Sequence, residues 1–120
     1  MKQSIVKDKS YAFALKVVKL AQGLHKKNEY EIAKQILRSG TSIGANVEEA
    51  LAGVSKPDFI YKMAISSKEA RETDYWLRLI RDSDILSEKE IEPLIQEAQE
   101  LIRILTAIVK SSQTKLNTKN

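Results

Sequence analysis

Residues 38–50 read Arg38-Ser39-Gly40-Thr41-Ser42-Ile43-Gly44-Ala45-Asn46-Val47-Glu48-Glu49-Ala50, a run of small and polar residues that by composition would pass for a loop. The spacing of the apolar and glycine positions argues for a helix instead. At about 100° per residue, Ala33, Ile36, Leu37, Gly40, Gly44, Val47 and Leu51 fall on one stripe about 100° wide. Helical phase therefore runs through the whole segment, with Gly40 and Gly44 at its centre. Each interior glycine costs a helix about 1 kcal/mol relative to alanine. A helix that carries two of them on its packed face is expected to use the bare backbone for close approach of a neighbouring helix. This one segment commits the chain to helix-on-helix packing.

The rest of the chain agrees. Its only prolines are Pro57 and Pro93, both near expected helix starts. Ser55-Lys56-Pro57-Asp58 reads as a capping box, with Pro57 in the first turn where its missing donor is harmless. Ser87-Glu88-Lys89-Glu90 reads as a second box. The spacing predicts helices over 9–26, 29–53, 56–82 and 88–112, joined by short connections suited to antiparallel neighbours. Residues 1–8 are expected as an N-terminal tail, 9–112 as a single domain, and 113–120 as a frayed C-terminal tail. The fold class is all-α: an antiparallel up-down four-helix bundle that assembles into a homo-oligomer.

The expectation of an oligomer comes from helices with too much apolar surface. The last helix has one clean face, through Ile91, Leu94, Ile95, Ala98, Leu101, Ile102, Leu105 and Val109. The third has two. Phe59, Met63, Ala70, Thr73 and Leu77 form one stripe; Tyr61, Ile65, Trp76 and Leu79 form another, displaced by more than about 100°. The first helix is also broad, with Phe13, Val17, Leu20 and Leu24 beside Ala14, Val18 and Ala21. A lone bundle needs one stripe per helix, so the second stripe of helix three is assigned to a subunit interface.

Composition excludes several chemistries. The 120 residues contain no cysteine, which rules out thiol catalysis, zinc–thiolate sites and disulfides. A di-metal centre in a bundle requires Glu-x-x-His pairs. Glu48, Glu69 and Glu72 are available, but no Glu-x-x-His occurs, and the single histidine, His25, reads as a packed or interfacial imidazole. Glu48 and Glu49 point about 100° apart on a helix and cannot share a proton. Asp74 stands three residues from Arg71 and four from Arg78, a spacing for an intrahelical charge network with a structural role. The chain is read as a non-enzyme without cofactor or metal. The longest apolar run of the first helix, Ala12–Leu15, is too short for a membrane span or a signal-peptide core, so a cytoplasmic location is expected.

Charge supplies the one functional lead. The net charge is +4, but residues 1–38 hold nine Lys or Arg against three acids, a net of +6, whereas the remainder holds eleven against thirteen, a net of −2. Lys9, Lys16, Lys19, Lys26 and Lys27 share an arc about 100° wide on the first helix, and Lys34 and Arg38 extend it onto the second. Such a row can bind phosphates through counterion release alone, without base contacts. RNA or another nucleic acid is the expected partner, and a protein-interaction module is the alternative.

The segments Gln35–Ala50, Asp58-Phe59-Ile60 and Lys68-Glu69-Ala70-Arg71-Glu72-Thr73-Asp74-Tyr75-Trp76-Leu77-Arg78-Leu79 resemble the bacterial 23S ribosomal RNA intervening-sequence proteins, with likeness from about Tyr11 to Val109. That family is a four-helix bundle with no recognised catalytic residues. Its fold is similar to that of the accessory variability protein of diversity-generating retroelements, a basic, barrel-shaped pentamer that binds nucleic acid and its reverse transcriptase. The resemblance implies a homopentamer, with the small-residue segment of helix two and the Arg71–Arg78 segment as signature positions.

Overall fold

A computed structural model describes residues 2–117. Four helices follow one another: α1 (Lys2–Lys26), α2 (Tyr30–Leu51), α3 (Lys56–Asp82) and α4 (Glu88–Asn117). Connections of three, four and five residues separate them, which leaves consecutive helices no choice but to run antiparallel. Cross-helix contacts agree, because residue numbers rise on one helix as they fall on the next: Val17 meets Gly40 while Ser10 meets Gly44, and Ser39 bonds Thr73 while the Ile43 carbonyl bonds Ser66. Each helix packs against its neighbours in sequence, α4 closes on α1, and among the described residues the backbones of diagonal helices stay more than 8 Å apart. The result is a square bundle about 54 Å long and 21 Å across.

α2 is unbroken through residues 38–50, and the glycines stand where α1 comes closest. A Cβ on Gly40 would lie 2.6 Å from Cγ1 of Val17, and one on Gly44 would lie 3.3 Å from Oγ of Ser10. The buried arc of α2 is wider than the sequence stripe, however. Leu37 and Leu51 are exposed, while Ser39, Ile43 and Ala50 are buried. The glycine stripe describes only the half of α2 that meets α1. The other half turns to α3, where small polar side chains are satisfied in the core: Thr73 donates to Ser39 and Ser66 donates to the Ile43 carbonyl.

Both expected tails need correction. Residues 2–8 are helical, and Val6 is fully buried in the main core with Phe13, Val17 and Leu24. The apolar period of α1 therefore starts before residue 9. Residues 113–117 continue α4. There Ser112 and Lys115 line a groove with Phe59 and Ile60 of α3, so the end of α4 has a neighbour to pack on. Met1 and residues 118–120 lie outside the described residues.

The caps form as the spacing predicts. Asp58 N–H donates to Ser55 Oγ at 3.2 Å. Glu90 N–H donates to Ser87 Oγ at 3.2 Å while Ser87 N–H donates back to the Glu90 carboxylate at 3.3 Å. Beyond the end of α3 at Asp82, Asp84 is left-handed with φ 59°, and Ile85 N–H donates to the Ile80 carbonyl in a Schellman closure. A side chain in that conformation costs energy that glycine avoids. Asp84→Gly is expected to raise stability by about 0.5 kcal/mol, read as a higher urea midpoint at fixed protein concentration.

Candidate nucleic-acid interface

The lysine arc of α1 divides in two once α4 and α3 are in place. Lys9 and Lys16 point along the α1–α4 seam, where Lys9 pairs with Glu100 at 3.2 Å and Lys16 with Glu97 at 2.9 Å. Arg38, on α2, donates to Glu69 at 3.4 Å and to Glu72 across the α2–α3 seam. Exposed pairs of this kind contribute little stability, about 0–1 kcal/mol, but they cancel local positive charge. Among the described residues, Lys19, Lys26, Lys27 and Lys34 carry no ion pair. These four gather toward the α1–α2 turn. The candidate surface is thus the α1–α2 corner at one end of the bundle rather than a stripe along it, since the α3–α4 turn at that same end carries Asp82, Asp84, Glu88 and Glu90. Sequence reasoning missed this because Glu97, Glu100, Glu69 and Glu72 lie far from their cationic partners in the chain.

His25 is exposed at the same end, not packed in the core. Its ring and that of Tyr30 make an edge-type contact with centroids 4.7 Å apart and planes at 61°. Tyr30 Oη donates to Asn28 Oδ1 at 2.6 Å, and Asn28 holds the turn with a left-handed φ of 65°.

The second stripe of α3 faces outward on the side of α2. Tyr61 is 63% exposed and Leu79 39%. Ile65 and Trp76 are half-buried, and Trp76 rests on the core and donates its indole N–H to Glu72 at 3.0 Å. Trp76 and Arg38 therefore share one carboxylate. Nearer the start of α3, a hydrogen bond from Lys62 to Glu49 raises the ammonium pKa above its usual value.

The charge network on α3 forms only in part. Arg78 pairs with Asp74 at 3.1 Å, and Asp74 also accepts from Gln99 of α4 at 3.4 Å. Arg71 takes no part; its guanidinium donates to Thr106 of α4 at 3.1 Å. The i,i+3 spacing allows an Arg71–Asp74 contact, but Arg71 lies on the α4 side, where Thr106 is within reach.

A further apolar face was missed. Tyr11 and Leu15 are 60% and 54% exposed, and Leu37 is 39% exposed on the adjoining helix. They lie along the α1–α2 seam. The other three seams carry ion pairs or hydrogen bonds across them, whereas no side-chain bond spans α1–α2 among the described residues. The signal was present in the sequence, since Tyr11, Leu15 and Val18 follow i, i+4, i+7 spacing out of phase with Phe13 and Val17. At the far end of the bundle an open groove of about 520 Å³ runs between the α2–α3 turn and the end of α4. Among the described residues no group of three or more His, Cys, Asp or Glu could hold a metal ion, and no helix is long and apolar enough to cross a membrane.

Comparison with known proteins follows the same lines. No curated protein matches the chain. The crystal structure of a protein of unknown function from the S23 ribosomal protein family of Bacteroides thetaiotaomicron superposes with a TM-score of 0.88 at 42% identity. The match covers 92% of this chain and 99% of that one. Residues 2–107 match the family described as 23S rRNA-intervening sequence protein, and with nearly the whole bundle so covered, the chain belongs to that family.

Proposed function

We propose that this protein is a non-enzymatic homopentameric scaffold that binds RNA or another nucleic acid through cations at the α1–α2 turn. One observation carries the reading: of seven candidate cations, Lys19, Lys26, Lys27 and Lys34 have no carboxylate partner among the described residues and gather at one end of the bundle. Repetition of that end around a ring presents several weak phosphate sites to one polyanion, which then binds with avidity.

Assembly is supported by two unlike apolar faces, Tyr11, Leu15 and Leu37 on one and Tyr61, Ile65 and Leu79 on the other. They occupy adjacent sides of a square bundle, about 90° apart around α2. Unlike faces pair head to tail and close a ring when the rotation between copies allows it, five copies requiring faces that meet at about 72°. The same exposed faces favour the alternative, a protein-interaction module without nucleic-acid binding. Electrophoretic retardation of RNA at low salt separates the two, since the interaction module leaves RNA unshifted.

Sedimentation equilibrium tests the assembly. A species near five chains is expected, and Tyr61→Glu combined with Leu79→Glu is expected to lower the stoichiometry with helical content unchanged. Neither side chain belongs to the buried core, so the variant disturbs it less than Trp76→Glu would. A wild-type monomer at micromolar concentration overturns the scaffold reading.

A further inference from the structure

The α1–α2 turn holds more than charge. Tyr30 and His25 are both exposed, and Tyr30 is fixed at two points: its hydroxyl on Asn28 Oδ1 and its ring against His25. Asn28 is itself held in place, because Glu29 N–H donates to the Leu24 carbonyl at 2.9 Å and closes the end of α1. Two aromatic rings are thus held at the surface with little freedom left to lose on binding. An edge contact between rings leaves ring faces open to a third aromatic. Lys26 ends α1, Lys27 opens the turn, and Lys34 lies one helical turn beyond Tyr30.

The carboxylates narrow the ligand. Glu29 and Glu31 share this segment with the three lysines, so a continuous track of duplex phosphates meets repulsion as well as attraction. A single strand can place individual phosphates on the lysines and offer a base to the rings. Base–aromatic stacking needs a base free of a duplex, since paired bases show only their edges in the grooves.

Resting on the nucleic-acid reading, we infer that the α1–α2 turn is a single-strand site. An unpaired base, in an RNA loop or at an end, stacks on the Tyr30–His25 pair while flanking phosphates contact Lys26, Lys27 and Lys34. Stacking tolerates every base, so the site selects unpaired strand rather than sequence.

The test is fluorescence anisotropy with the full-length protein, a labelled oligoadenylate of about twelve nucleotides, and an RNA duplex of equal length. Wild-type protein is expected to prefer the single strand. Tyr30→Leu is expected to weaken single-strand binding about tenfold with the salt slope and duplex binding unchanged, and Tyr30→Phe, which keeps the ring and loses only the bond to Asn28, is expected to stay within about twofold of wild type. Melting curves of both variants establish that the turn is folded. If RNA binds but duplex and single strand bind alike, or Tyr30→Leu has no effect on strand binding, the single-strand inference is overturned and the nucleic-acid reading stands. Absence of binding to both RNAs at low salt overturns both.

Discussion

Gly40→Ala lowers stability by about 1–3 kcal/mol, although alanine is the better helix former. Two effects oppose each other. Alanine gains about 1 kcal/mol of helix propensity. Its methyl, however, would sit 2.6 and 2.8 Å from the two γ-methyls of Val17, closer than atoms of that size pack. Val17 is fully buried, and a β-branched residue in a helix has essentially one side-chain rotamer. It cannot turn away, so α1 and α2 must separate along a seam that holds Phe13, Leu24 and Ile36. Gly23 supplies the control, because nothing lies within 4 Å of a Cβ built there. Gly23→Ala is expected to stabilise by a few tenths to about 1 kcal/mol. Thermal midpoints at fixed protein concentration measure both, since assembly makes stability concentration-dependent. A second check is the pairing of Gly40→Ala with Val17→Ala. Removal of the γ-methyls vacates the space, so the double variant is expected to be destabilised by less than the sum of the two single variants. A stabilising Gly40→Ala would show that the seam yields and that the glycine has no packing role.

The nucleic-acid reading makes an equally large claim. Substituting Gln for Lys19, Lys26, Lys27 and Lys34 together is expected to reduce RNA affinity by more than tenfold at low salt. It is also expected to flatten the log–log salt dependence by about 0.7–0.9 for each phosphate no longer neutralised. Five copies at +4 carry +20 in total, and the same substitutions remove 20 of those charges, so helical content and sedimentation must be shown unchanged. The informative comparison is Lys9→Gln with Lys16→Gln. Those lysines are already paired with Glu100 and Glu97; their replacement is expected to leave the salt slope nearly intact. If the paired lysines carry the slope instead, the α1–α4 ion pairs open on binding, and the binding surface runs along the helix rather than at its end.

Much of the bundle was legible in the chain because its signals are local. Both caps depend on residues three apart: Ser87 and Glu90 close a reciprocal box, and Ser55 accepts from the Asp58 N–H. The phase of α2 through Gly40 and Gly44 depends only on the 3.6-residue period, and the helix is continuous there. The N-terminal tail was misjudged because one residue, Val6, decides whether the first turns of α1 have a core to join, and many of its partners are distant in sequence. The α1–α2 apolar face went unassigned because an i, i+4, i+7 stripe does not say on which side of a helix its neighbour will lie.

The candidate site divides along the same boundary. Composition and periodicity alone determined that the chain is helical, free of cysteine, and most basic in its first 38 residues. They could place seven cations on two helix faces, because direction around a helix follows from residue number. Which of those cations keep their charge unpaired was decided only by tertiary structure. Glu97 and Glu100 reach Lys16 and Lys9 from 81 and 91 residues away, and Glu69 and Glu72 meet Arg38 from 31 and 34. An ion pair depends on distances of a few ångströms between side chains on different helices, and no periodicity within one helix encodes them.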